Sequence, residues 1–183
     1  TSQARSLPPQ TIAAYRDVLS AAPEHTQTLH ALEAMFAAKT KQVEIAEILE
    51  PLYRSAAEWT KLIGVYQAEL EHIPQQEVPD RVSGQEARLA AYYRIAELYE
   101  DKLVDSAMTL DTFLRALMEY PLDERSGEEV PRLAAIVDAG WETLANAYAD
   151  IVGAHQEPLV LTTIGRRLAK TFEEELSDLE KAE

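Results

Sequence analysis

Two stretches with one pattern decide the fold: Trp59-Thr60-Lys61-Leu62-Ile63-Gly64-Val65-Tyr66 and Trp141-Glu142-Thr143-Leu144-Ala145-Asn146-Ala147-Tyr148. In each, Trp, Leu and Tyr stand three and then four residues apart, which puts them on one face of an α-helix. The chain holds two tryptophans, and each opens this pattern. A second pair follows. Arg94-Ile95-Ala96-x2-Tyr99-Glu100-x2-Leu103 has the spacing of Arg167-Leu168-Ala169-x2-Phe172-Glu173-x2-Leu176, and Asp105 and Asp178 keep the same offset. From the Trp to the Arg motif is 35 residues in the first copy (59 to 94) and 26 in the second (141 to 167). An insertion between Ile73 and Gly84, rich in Pro and Gln, accounts for the difference. A unit of more than one helical hairpin thus occurs twice. Stacked hairpins need such repetition, because one hairpin cannot bury its apolar face alone.

Outward from these motifs the chain reads as helix throughout. Apolar residues recur at three and four, and no period-two alternation indicates a strand. The periodicity predicts helices over about Thr11–Ala21, Thr26–Ala38, Val43–Arg54, Glu58–His72, Gln85–Leu103, Ser106–Tyr120, Glu129–Asp138, Trp141–Val152 and Pro158 to the C-terminus. Pro23 and Pro121 stop helices. Pro51 kinks the third or marks its last turn, and Pro131 suits the first turn of the seventh. Residues 73–84 form a loop. Nine helices on short connections pack as antiparallel neighbours. The expected fold is all-α: a right-handed α-solenoid of antiparallel helical hairpins forming one domain over 1–183. The incomplete outer copies suggest a longer repeat array.

These motifs resemble the tetratricopeptide repeat family. Trp141-x2-Leu144-Ala145-x2-Tyr148 matches the first helix of that signature, and Tyr92-x2-Ile95-Ala96-x2-Tyr99 is a version with Tyr for Trp. Phe113-x2-Ala116-Leu117-x3-Pro121 matches the second helix, and Tyr15-x3-Leu19-x3-Pro23 has a similar ending. Ile63 departs from the pattern, which has a small residue there. The resemblance implies a non-catalytic scaffold that lays a partner peptide or helix on its concave face. On that reading Glu142 and Asn146 line the inner face of one helix, and Tyr93 and Glu97 hold the equivalent places on another. These four are the expected partner-binding residues. The resemblance leaves open a structural, self-assembling array, or a regulatory domain of a larger protein.

The bulk chemistry narrows the choice. There are 32 acidic and 17 basic residues, a formal net charge of −15. So acidic a surface repels phosphate backbones and anionic membranes, and it favours a basic or amphipathic protein segment. Arg166-Arg167 is too small a basic patch to reverse that. No apolar run approaches the roughly 20 residues needed to span a bilayer, and Thr1–Pro9 has no signal-peptide pattern. The chain has no cysteine, which excludes disulfides, thiolate metal sites and cysteine catalysis.

No cofactor is expected. His25, His30, His72 and His155 include no pair four apart, as a helical zinc site would need. Glu69-x2-His72 has the spacing of a di-iron helix but occurs once. Gly64, Gly140 and Gly153 are isolated, so no phosphate loop forms. Runs such as Glu173-Glu174-Glu175 read as the wet face of a helix. The tryptophans and tyrosines, at regular helical spacing, read as core.

Overall fold

The computed structural model describes residues 10–74 and 84–176. Among them the regular structure is entirely helical. The chain divides into two compact units, with the boundary between Ile73 and Pro74.

The first unit holds α1 (Gln10–Ala21), α2 (Thr26–Ala37), α3 (Gln42–Ser55) and α4 (Trp59–His72). Neighbours in sequence pack on each other, most extensively α3 on α4. Leu32, Ile45, Leu49, Leu62 and Val65 are fully buried and form its interior. Pro51 lies inside α3, which runs on to Ser55, so the proline opens the last turn rather than ending the helix.

The second unit holds α5 (Gly84–Leu98), α6 (Ser106–Glu119), α7 (Glu124–Ala134), α8 (Gly140–Ala154) and α9 (Pro158–Lys170). Helices α5 and α9 each run into a one-turn π segment, at Tyr99–Leu103 and Thr171–Glu175. These turns end the two Arg motifs that repeat in the sequence, so the repetition extends to an unusual backbone. Consecutive helices pack together, and α8 also packs on α6. The core is built from Phe113, Leu117, Val130, Leu133, Leu144, Tyr148, Ile151 and Ile164, with Trp141 and Leu168 partly buried against it.

The repeated Trp helices adopt matching environments. Leu62 and Leu144 are each 0% exposed, and Tyr66 and Tyr148 are 2% and 1% exposed. Both Trp residues are half-buried near the helix start, two residues after an alanine in the left-handed region, Ala57 and Ala139. The hydrophobic stripe read from the sequence is therefore the buried stripe in both copies.

Helix α7 corrects the sequence reading. Its start was expected near Glu129, with Pro131 in the first turn. It begins at Glu124, and Pro131 stands in its last turn. The cause is Asp123, whose carboxylate accepts a 2.7 Å hydrogen bond from the Ser126 N–H and caps the helix early. Gly84, expected in the loop, begins α5; the loop's 75–83 and the 177–183 tail of the ninth helix lie outside the described residues.

Left-handed residues make several of the joints. Lys39, Lys41, Ala57, Val104 and Ala139 have positive φ, and no described glycine does. Two of these joints close the preceding helix with a bond spanning five residues, Thr40 N–H to Met35 C=O and Glu58 N–H to Tyr53 C=O. Glycine serves sterically at Gly140, where a Cβ would come within 2.8 Å of the Ala134 Cα as the chain folds back.

The glycines give a paired test. A Cβ at Gly64, inside α4, would meet nothing within 4 Å. Gly64→Ala is expected to stabilise the protein by about 0.5–1 kcal/mol, the helix-interior cost of glycine. Gly140→Ala is expected to destabilise it by more than that, because backbone must move. Urea unfolding followed by circular dichroism measures both.

Candidate binding surfaces

Two of the expected binding residues, Tyr93 and Glu97, have partners at the start of α7, while Glu142 and Asn146 stand on the exposed face of α8. Tyr93 and Glu97 lie one turn apart on α5, and both reach to the start of α7. The Tyr93 hydroxyl donates to Asp123 Oδ1 at 2.6 Å, and Arg125 Nη2 donates to Glu97 Oε1 at 2.8 Å. The Arg125 guanidinium also stands 4.3 Å from the Tyr93 ring centroid, within cation–π range. Burial, followed by donation to Asp123, drives the Tyr93 pKa far above its ordinary value. One turn on, Glu100 pairs with Arg132 at 2.7 Å. This row braces α5 against α7.

Glu142 and Asn146 lie one turn apart on α8, and both are exposed. Thr143, Ala149, Asp150 and Gly153 extend the exposed face along the helix. A Cβ at Gly153 would meet nothing within 4 Å. The face is acidic at Glu142 and Asp150 and low in profile at Ala149 and Gly153. Of the first pair, Tyr93 is partly buried against Asp123, while Glu97 stays exposed in its ion pair with Arg125; the second pair is exposed throughout.

Beneath the surface, tyrosine hydroxyls are satisfied by carboxylates that a cation also holds. Tyr66 donates to Glu50 at 2.9 Å, and Arg54 donates to the same carboxylate oxygen at 2.9 Å. Tyr53 donates to Glu33 at 2.9 Å, where Lys61 also donates at 2.9 Å. Tyr92 donates to Glu119 Oε2 at 2.9 Å, and Arg88 makes a two-pronged pair with the same group. Arg88 is only 6% exposed, so this pair joins α5 to α6 in a largely dry setting. Burial by itself would raise the Glu119 pKa; the hydrogen bonds from Arg88 and Tyr92 outweigh it and hold the carboxyl below its ordinary value.

A cleft of about 290 Å³ opens between α7, α8 and the end of α9. Pro131, Trp141 and Tyr148 make its apolar walls, with Arg167, Lys170 and Glu174 as charged lining. Arg167 seats its guanidinium on Gly127, where a Cβ would lie 2.8 Å from Arg167 Cζ. A larger residue there would push the guanidinium aside. The sequence reading placed Trp141 and Tyr148 in the core and dismissed Arg167 as a minor basic patch. The available signal was an arginine on the buried stripe of α9, between Ile164 and Leu168–Thr171.

The histidines do local work. His25 Nδ1 accepts from the Thr28 N–H at 3.3 Å and caps α2, while His72 Nδ1 donates to the Ala68 carbonyl at 2.7 Å. Among the described residues no His, Asp and Glu group could hold a metal ion, and no helix is long and apolar enough to cross a membrane. No family model matches the chain, and no curated protein or solved structure matches it.

Glu119→Gln removes the negative charge that the buried Arg88 pairs with and is expected to cost about 3 kcal/mol of stability. The native pair also predicts a pH dependence. The Glu119 pKa is lowered from its ordinary 4.5, so its stabilisation is complete above that pH and fades as pH falls through the folded-state value. Denaturant titrations between neutral and acid pH should find this sensitivity weakened in Glu119→Gln.

Proposed function

We propose that the chain is a non-catalytic protein-binding module, each of its units a short stretch of right-handed α-solenoid of the tetratricopeptide kind. The observation that carries the reading is the exposed face of α8. Glu142 and Asn146 stand on it in register with Thr143, Ala149, Asp150 and Gly153. Long acidic and short side chains in one row suit a basic or amphipathic helix, which gains charge pairing at the edges and close backbone approach in the middle. Tyr93 and Glu97 enter as braces that fix α5 to α7, rather than as contacts.

The proposed fold of each unit rests on helices that pack in chain order, on the α6–α8 contact and on the α5–α7 brace. In stacked hairpins a helix meets both its sequence neighbour and the helix after that. The charge of −15 favours a basic partner and disfavours nucleic acid and anionic membranes.

The test is capture of partners on immobilised protein at low and high salt, with light scattering on the free chain. Glu142→Lys is expected to lose the partner and keep its helical circular dichroism. Glu97→Lys is expected to retain the partner. Equal capture by both variants would move the binding surface off α8. Mass that grows with concentration, and stops growing in Glu142→Lys, would replace the module reading by self-assembly.

A further inference from the structure

Tyr53, Tyr66 and Tyr92 set a standard that Tyr148 does not meet; the Tyr120 hydroxyl is also buried without a hydrogen-bond partner, but Tyr120 does not line the cleft. Tyr53, Tyr66 and Tyr92 each donate to a carboxylate, and a Lys or Arg donates to the same group. Tyr148 occupies the repeat position of Tyr66 and is 1% exposed. Its hydroxyl and the Nη1 of Arg167 are both buried, and neither has a hydrogen-bond partner. Arg167 stands close enough for its charge to act on the hydroxyl: burial raises the Tyr148 pKa, and Arg167 opposes the rise. The tyrosine and the cation of the arrangement are present, and among the described residues no carboxylate bonds to either atom.

Both groups line the cleft between α7, α8 and the end of α9. Leaving two such donors unpaired is costly, and a ligand that satisfies both recovers that cost on binding. The carboxylates nearby are otherwise placed. Glu174 pairs with Lys170 at 3.6 Å, and both side chains are more than half exposed. Glu175 also lines the cleft and is exposed. Neither reaches the two buried atoms.

We infer that this cleft is a carboxylate-binding site: Arg167 and Tyr148 donate to the carboxylate, while Trp141 and Pro131 cover an apolar or aromatic body attached to it. A volume of about 290 Å³ suits a group of that size. The carboxylate arrives on a free small acid or on an acidic side chain of a peptide; the recognition chemistry is common to both. Both donor atoms are buried, so side chains that line the cleft move aside as the carboxylate enters. The acidic surface repels anions at long range, but at physiological salt the screening length is about 8 Å, so contact chemistry governs affinity. The site is independent of the α8 face.

The experiment uses the full chain carrying Trp59→Phe, so that Trp141 alone reports by fluorescence. The probes are 3-phenylpropionate, its neutral amide, a blocked peptide with one internal glutamate, and inorganic phosphate. A saturable change with 3-phenylpropionate and none with the amide is expected. Tyr148→Phe should weaken binding about tenfold, the loss of one hydrogen bond to a charged group, and Arg167→Gln should abolish it. Binding of the peptide as well as the acid assigns the carboxylate to a partner chain; binding of the acid alone assigns it to a small molecule. Without ligand, Tyr148→Phe should keep or raise Tm, whereas Tyr66→Phe, which loses real partners, should lower it. Equal binding of acid and amide, no saturable response, response to phosphate alone, or unchanged affinity in Tyr148→Phe overturns the inference. So does a Tm drop in Tyr148→Phe matching that of Tyr66→Phe. If Arg167→Gln loses its helical signal, the near-isosteric Tyr148→Phe decides alone.

Discussion

A tyrosine buried to its hydroxyl imposes a condition on everything around it. The ring belongs in the core, while the oxygen must find a partner there. At Tyr53, Tyr66 and Tyr92 that condition is met by a carboxylate to which a cation also donates. Tyr66 brings Glu50 and Arg54 to the α3–α4 contact, and Tyr92 brings Glu119 and Arg88 to the α5–α6 contact. Helices already packed through leucine and isoleucine thereby acquire one directional tie each. The apolar stripe supplies most of the attraction, and the tie fixes which rotation about the helix axis is allowed.

Much of the helical architecture was legible, because periodicity is a local property of the chain. The buried faces of α4 and α8 could be read from Trp, Leu and Tyr spacing alone, and the matching burial of Leu62 with Leu144 follows from it. The start of α7 was misread for a physical reason. Pro131 in the first turn was a reasonable inference from its ring, but the capping carboxylate of Asp123 lies eight residues upstream, in a stretch with little apolar signal. The π segments left no trace either, since a wider turn has no characteristic composition.

Sites are harder to read than helices, because they join residues far apart in sequence. Glu97 is on the surface, as its spacing suggests, but α7 brings Arg125 to it. Arg167 looked like half of a surface patch until α9 turned it inward onto Gly127. In each case the residue type was visible and its neighbour was not. Glu142 and Asn146 illustrate the opposite case: the sequence placed them one turn apart, and both are exposed.

The left-handed joints carry a consequence for motion. A hinge needs a residue that is indifferent between backbone conformations, and glycine is the usual choice. Here the work falls to lysine, alanine and valine, which enter the left-handed region reluctantly. At Lys39 and Ala57 the residue is held there by hydrogen bonds that close the preceding helix; after Ala57 the following N–H reaches back to Tyr53. Such a joint has two conditions, shut or unravelled, with little between. A change of angle at these two joints therefore has to break the closing bonds first, which a glycine hinge would not require.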